Sequence, residues 1–373
     1  MSRRFVHTPE GVRDIYGREF GKKLWIESKI HHTITSYGYE DIQTPTFEYM
    51  DIFSDEIGTT PSRELYKFFD KDGNTLVLRP DFTPSIARCA SKYFLEEKKP
   101  LRFCYLGNTF TNTSSLQGKL KEVTQMGAEL INDDSVEADA EMLSLVIESL
   151  KNTGLKDFQL CIGHIDFFKG LCEEACLEPE TEETLREYIS GKNYFAAENL
   201  LKEEKLDASY VEALLKVADM FGDIDSLRAF KDRVHNEKSL NAIERLEKIY
   251  DVLKLYGVED YVSFDLGMLS QYHYSTGIIF KAYTYGIGDA IVKGGRYNHL
   301  LKHFGKNAPA IGFMIVIDDM QEALSRQKVN INLPDGKRIL SYTPQNYKDK
   351  LAECINCRKA GIAVELVPEQ QTP

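Results

Sequence analysis

The segment Lys121-Glu122-Val123-Thr124-Gln125-Met126-Gly127-Ala128-Glu129 carries the most informative chemistry in the chain. On a strand every second side chain shares a face, so Gln125, Gly127 and Glu129 line up together. A glycine between an amide and a carboxylate lets a small molecule approach the sheet. Glu129 would accept from a ring N–H or an ammonium, and Gln125 would bond either way. Taken alone, a solvent-exposed strand face explains the segment better. In Leu78-Arg79-Pro80-Asp81-Phe82-Thr83-Pro84 two prolines fix a turn that presents Asp81 and Thr83, a carboxylate and a hydroxyl suited to a cationic amine. By itself that is an ordinary rigid turn. Lys293-Gly294-Gly295-Arg296-Tyr297 reads as a strand end opening into a helix, its paired glycines serving either backbone approach to a ligand or a plain turn.

The elements that must position these residues follow from periodicity. Phe20, Leu24, Ile26, Ile30, Ile34 and Tyr37 predict an amphipathic helix closed by Gly38. Leu76–Leu78, Arg102–Phe110 and Lys121–Ile131 read as strands, the last two as a long hairpin. Asp134 with Glu137 has the spacing of a capping box, opening a helix with Val136, Ala140, Leu143, Ile147 and Leu150 on its apolar face. After a strand at Phe158–Ile162, residues 173–255 turn rich in Leu, Lys, Glu and Ala at helical spacing, a helical insertion. Strand signals return at Ser263–Leu266, Ile278–Tyr283, Ala290–Val292 and Ile311–Ile317, followed by a helix over Met320–Leu324. Arg338–Tyr342, Tyr347–Ala360 and Ile362–Val367 form a last strand-helix-strand unit. The expected class is α+β: an antiparallel sheet flanked by helices over 1–325, with a small α/β unit over 326–373.

At 373 residues the chain has ample length for a core, and its net charge of −12 disfavours a general nucleic-acid binder while leaving local basic patches open. The longest apolar run, Ala310–Ile317, is far short of the ~20 residues that span a bilayer, and no hydrophobic leader opens the chain, so a cytoplasmic protein without membrane contact is expected. Seven scattered cysteines predict reduced, mostly buried thiols. Cys354 and Cys357 have metal spacing but no second pair, and Cys172 and Cys176 read as packing residues; no metal or cofactor is expected. His31 and His32 read as surface histidines. His273 is a modest candidate.

Taken in order, these motifs resemble the histidyl-tRNA synthetase family of class II synthetase folds over roughly the first 325 residues. Tyr37-Gly38-Tyr39-Glu40-Asp41-Ile42-Gln43-Thr44-Pro45 is similar to the family's first motif, which implies dimerisation through 37–48. Phe110 to Glu129 resembles the second motif and Tyr274-Ser275-Thr276-Gly277-Ile278-Ile279-Phe280 the histidine-specific segment, with Gly294–Tyr297 and Ile311-Gly312-Phe313 completing the set. The resemblance implies that Asp81 (in place of the usual Glu), Thr83 and Gln125 hold the amine of histidine, and that Glu129 and Tyr274 hold its ring. It also exposes losses. Phe110-Thr111-Asn112-Thr113 stands where the family has Phe-Arg-Tyr-Glu, so Thr111 and Thr113 replace ATP-binding groups. Ser270 replaces an arginine that helps activate the amino acid, Ser275 replaces a tyrosine, and Asp319 replaces a phosphate-binding arginine. Two unit charges 4 Å apart are worth about 4 kcal/mol near a protein surface, so the change at Asp319 alone turns attraction for a triphosphate into repulsion.

A histidine pocket kept beside a dismantled ATP site, with only residues 338–367 where the family carries an anticodon-binding domain, resembles the family of ATP phosphoribosyltransferase regulatory subunits. That resemblance implies a non-catalytic chain that reads no tRNA. It implies assembly with a short-form catalytic subunit into a hetero-octamer, and activation and feedback inhibition by free histidine in histidine biosynthesis. An active histidyl-tRNA synthetase and a ligand-free assembly scaffold are the alternatives. Ile315–Asp319 also has the apolar-run-plus-Asp-Asp look of phosphoribosyltransferases, but no glycine-rich phosphate loop follows it.

Overall fold

The computed structural model describes residues 6–54, 57, 60–113, 120–204, 206–232, 234–269, 274–333 and 336–369. Helix α1 (Gly17–Ser36) buries Ile26, Ile30 and Ile34 together with Lys23, whereas Phe20 and Leu24 are exposed. At ~100° per residue the three isoleucines and Lys23 form one stripe, and the two N-terminal apolar residues fall outside it. Four short strands follow: β1 (Glu40–Asp41), β2 (Phe47–Tyr49), β3 (Lys67–Phe69) and β4 (Thr75–Leu78). Helix α2 (Thr83–Tyr93) begins with Pro84 inside its first turn, where a missing N–H costs nothing.

The long hairpin forms as expected, β5 (Leu101–Phe110) pairing antiparallel with β6 (Glu122–Ile131) along their full lengths. Helix α3 (Val136–Asn152) starts one residue later than the capping-box spacing implies. Ser135, not Asp134, is the cap, its hydroxyl accepting from the Ala138 N–H while Asp133 braces it. Next come β7 (Phe158–His164), α4 (Ile165–Glu174), α5 (Pro179–Ser190), α6 (Tyr194–Glu203), α7 (Ala208–Lys216), β8 (Phe221–Gly222), α8 (Ile224–Lys231) and α9 (Glu237–Tyr256). The helical stretch thus includes one short strand. The chain returns through β9 (Val262–Asp265), β10 (Thr276–Thr284), β11 (Val292–Arg296), β12 (Ala310–Val316) and α10 (Ile317–Arg326). A separate unit over Asn330–Pro373 holds β13 (Arg338–Tyr342), α11 (Tyr347–Lys359) and β14 (Val364–Pro368), with the two strands parallel and Leu340, Cys354 and Val364 at its core.

In the larger unit, nine strands run in the order β1-β5-β6-β12-β11-β10-β7-β9-β8, and β2, β4 and β3 form a second small sheet. The large sheet is mixed: the β5-to-β7 block is antiparallel, but β1 joins β5 and β9 joins β7 in parallel. Its central block matches the expected antiparallel character, and the parallel pairings sit towards the margins. Of the two readings of the glycine pair, the plain turn is not what forms. Gly294 and Gly295 lie within β11, opposite Phe313 and Gly312, and a methyl group on Gly294 would overlap the Phe280 ring. They are small because rings and backbone cross the sheet there, not because the chain turns.

Among the described residues no helix is long and apolar enough to cross a membrane. All seven cysteines are free thiols; Cys172 is buried as expected, but Cys176 is exposed, lying past the end of α4 with a positive φ of 54°.

One ion cluster joins the sheet to its covering helices. Asp139 on α3 is completely buried and accepts from Arg296 Nε at 2.8 Å and from Arg245 Nε of α9 at 2.8 Å, while Arg296 also donates to the Asp133 carbonyl. Removing one partner of such a cluster strands buried charge, which costs roughly 3–5 kcal/mol. Asp139→Ala is therefore expected to lower stability by about that amount, read as a fall in the urea midpoint at unchanged slope.

Candidate functional site

Strand β6 delivers Gln125, Gly127 and Glu129 to one face, where they sit opposite Gly107, Tyr105 and Phe103 on β5 and Val316, Met314 and Gly312 on β12. The face is covered rather than solvent-exposed: Gln125 is 7% and Glu129 1% exposed. Glycines make the burial possible. A methyl group on Gly312 would overlap the Glu129 carboxylate, and one on Gly127 would overlap the Tyr105 ring and the Phe313 carbonyl.

Glu129 holds two hydroxyls. Thr83 Oγ1 donates to Oε1 at 2.7 Å, and the Tyr297 hydroxyl donates to Oε2. Burial pushes the Glu129 pKa up to about 8, against the lowering effect of those two hydroxyls and with Asp81 raising it further. The same burial, with Glu129 close by, lifts the Tyr297 and Tyr105 phenols well above their ordinary range. Asp81 lies in the link between β4 and α2, where its Oδ1 accepts from the Phe82 N–H at 2.6 Å and the Thr83 N–H at 3.4 Å. Those bonds hold its pKa down, but burial outweighs them and raises it.

A cavity of about 390 Å³ opens over these groups, and Asp81, Thr83, Tyr105, Gln125, Tyr274 and Tyr297 all line it. The glycines Gly294, Gly295 and Gly312 form part of its wall. Tyr274 meets Tyr297 edge-on, with ring centroids 6.0 Å apart, and Tyr105 stacks on Phe82 at 4.3 Å. Among the described residues the buried Gln125 Oε1 atom has no hydrogen-bond partner. A buried orphan acceptor costs about 1–3 kcal/mol, so this amide oxygen is set to receive a donor from whatever occupies the cavity. Four of the five expected histidine-binding residues therefore meet at the cavity wall. Glu129 stands directly behind, reached through Thr83 and Tyr297. Tyr297 and Tyr105 complete the group: the first was legible in Gly-Gly-Arg-Tyr, the second in the period-two face of β5.

Of the positions expected to have lost ATP contacts, Asp319 is neighboured by Asp289 and Lys293, which line this cavity. Thr111 follows β5 and its N–H donates to the Lys121 carbonyl at 2.9 Å; among the described residues the buried Thr113 Oγ1 has no partner. Asp319 sits in the first turn of α10. Burial first, then Asp289, Asp318 and Glu322, raise its pKa to about 6, with Lys293 opposing. Asp318 is committed elsewhere, accepting from Lys23 Nζ at 3.1 Å and from the Thr124 N–H at 2.8 Å. Ser270 and His273 lie outside the described residues. A larger cavity of about 1200 Å³ borders α4 and α9, where Arg245, Arg296, Asp134 and Glu244 mix both signs of charge.

The histidyl-tRNA synthetase family model matches residues 11–320. A protein of Acetivibrio thermocellus named ATP phosphoribosyltransferase regulatory subunit is 39% identical over 97% of this chain and 86% of its own length. One of the same name from Clostridium kluyveri is 36% identical, over 96% of this chain and 93% of its own length. Among solved structures, an ATP phosphoribosyltransferase regulatory subunit/histidyl-tRNA synthetase from Bacillus halodurans C superposes with a TM-score of 0.88 at 30% identity, covering 97% of this chain and 92% of that one. A histidyl-tRNA synthetase from Nostoc sp. PCC 7120, 18% identical with a TM-score of 0.81 over 98% and 86% of the two chains, shares the fold. With a class II synthetase-like sheet, a glycine-floored pocket and this degree of identity, the chain belongs to the ATP phosphoribosyltransferase regulatory subunits, a family of regulatory rather than catalytic chains built on the histidyl-tRNA synthetase fold.

Proposed function

We propose that this chain senses free histidine on behalf of a short-form ATP phosphoribosyltransferase catalytic subunit, with which it forms a hetero-octamer in the cytoplasm. Histidine conveys feedback inhibition of the first step of histidine biosynthesis, and the assembly itself activates the catalytic chains. The observation that carries this reading is the orphan Gln125 acceptor beside Asp81 and Thr83, in a cavity backed by Glu129. An ammonium is satisfied by Asp81, Thr83 and Gln125. A ring N–H takes the Thr83 hydroxyl's place on Glu129, next to Tyr297 and Tyr274. The phosphate end is unsuited to ATP, since Asp289, Asp318, Asp319 and Glu322 crowd one another there.

Regulation requires that histidine bind one arrangement of the complex better than another, because a ligand shifts an equilibrium only by its differential affinity. Self-association through 37–48 is supported by the edge position of β1 and by the exposure of Phe47 and Tyr49 on β2. A scaffold without ligand is the second reading, favoured by the internal satisfaction of both Glu129 oxygens.

Calorimetry on the purified chain is expected to show histidine binding and no Mg-ATP binding. Glu129→Gln is expected to weaken histidine by roughly 2–10-fold, the value of a hydrogen bond between neutral groups. Absence of histidine heat would establish the scaffold; Mg-ATP binding with formation of histidyl-adenylate would establish a synthetase. Co-expressed with a short-form catalytic chain, this protein is expected to co-purify and raise its turnover, with added histidine reversing the gain; failure to co-purify refutes the partner assignment.

Glu129 also sets a pH dependence. Its folded pKa of about 8 stands above the unfolded 4.5, so between those values the folded chain holds the extra proton. Its contribution is fully present below pH 4.5 and is lost as pH climbs towards 8, at up to about 1.4 kcal/mol per pH unit. Urea midpoints of the ligand-free chain are expected to fall more steeply over this range than those of Glu129→Gln; equal slopes would show that Glu129 ionises normally.

A further inference from the structure

Away from the pocket, three side chains from three elements converge at the sheet margin. Asp41 on β1 and Cys104 on β5 are direct partners in the parallel ladder, and His31 projects onto them from α1. The Asp41 Oδ1 atom lies 2.8 Å from His31 Nε2 and 3.3 Å from Cys104 Sγ, and the three candidate ligand atoms all fall within 4.8 Å of one another. The thiol is buried, while the His31 and Asp41 side chains are 40% and 70% exposed, so the cluster is walled by protein on one side and faces water on the other.

We propose that His31, Asp41 and Cys104 form a zinc(II) site whose fourth position is open to solvent. A mixed nitrogen, sulfur and oxygen set suits zinc and excludes magnesium and calcium, which take oxygen alone. The geometry is close to that required. With metal–ligand lengths of about 2.0–2.3 Å, a tetrahedral ion separates its ligands by roughly 3.3–3.6 Å. The two separations from Asp41 must open by a few tenths of an ångström, and the His31–Cys104 pair, within 4.8 Å, must close onto the ion, for which the exposed imidazole and carboxylate have room to move. Without metal, burial and the neighbouring Asp41 push the Cys104 thiol up to about 12, so it is an inert S–H. Zinc binding replaces that proton, which leaves to solvent as the Zn–S bond forms. The ion then ties α1 to the β1 margin, with Asp41 itself inside the 37–48 segment proposed for self-association. His31 reads from the sequence as a surface histidine because its partners stand 10 and 73 positions away.

The test uses the full-length chain, stripped of metal under reducing conditions and titrated with cobalt(II) as a spectroscopic probe. One equivalent is expected to produce a thiolate-to-cobalt absorption band that zinc abolishes by displacement. Cys104→Ser is expected to remove the band. Asp41→Asn and His31→Gln alter exposed side chains and leave the fold intact, and each is expected to weaken binding at least about tenfold. Added zinc is expected to raise the melting temperature of the unsubstituted chain more than that of Asp41→Asn at the same concentration. A missing thiolate band, or a band with the same midpoint in Asp41→Asn and His31→Gln, overturns the proposal, the latter assigning the signal to another cysteine.

Discussion

A carboxylate that is 1% exposed is the constraint on which the pocket depends. Taking Glu129 out of water is costly unless hydroxyls meet its oxygens or a proton neutralises it, and both conditions hold here. Each condition calls on a different part of the chain. Thr83 must come from the start of α2, Tyr297 from the end of β11, and the space itself from Gly312 on β12. The sheet order β6-β12-β11 brings the last two together, while β5 carries Tyr105 against Phe82 on the other flank. The glycines are thus explained by one acid and the rings around it.

The pocket and the start of α10 both carry carboxylates, in different surroundings. Around Glu129 stand Asp81, hydroxyls, an amide and aromatic rings. Near α10 the carboxylates of Asp318 and Asp319 occupy the helix's first turn. A helix N-terminus ordinarily favours an external anion, but here the chain supplies its own. Asp318 further spends its charge on Lys23 and the Thr124 N–H, which fastens α1 and β6 to α10. This one side chain thus serves the packing of three elements.

The parts of this fold legible in sequence were those with local signals. The hairpin, α1, α3 and most central strands follow from period and turn chemistry, and the grouping of Asp81, Thr83 and Gln125 follows from motif order. What escaped depended on distant neighbours. Nothing local tells Gly294 that Phe280 crosses above it, so the sequence leaves open whether the glycine pair admits a ligand or makes a turn. Ser135 caps α3 in place of Asp134 because Asp133 braces its hydroxyl, a contact the capping spacing does not encode. The burial of Glu129 was equally hidden, since an alternating polar strand reads as half-exposed until β12 and α2 are laid over it.

The register of β12 against β6 has a consequence for the order of assembly. Glu129 faces Gly312, so neighbours in the finished sheet are separated by about half the chain. Likewise β7 finds its parallel partner β9 only after the intervening helices have been made. Closing such loops costs entropy before any contact repays it. During synthesis the β5–β6 hairpin therefore emerges with one edge unpaired, and the acid that defines the pocket stays in water until the final third of the molecule arrives. The binding cavity is among the last features to exist, so a chain able to present it has already completed its central sheet.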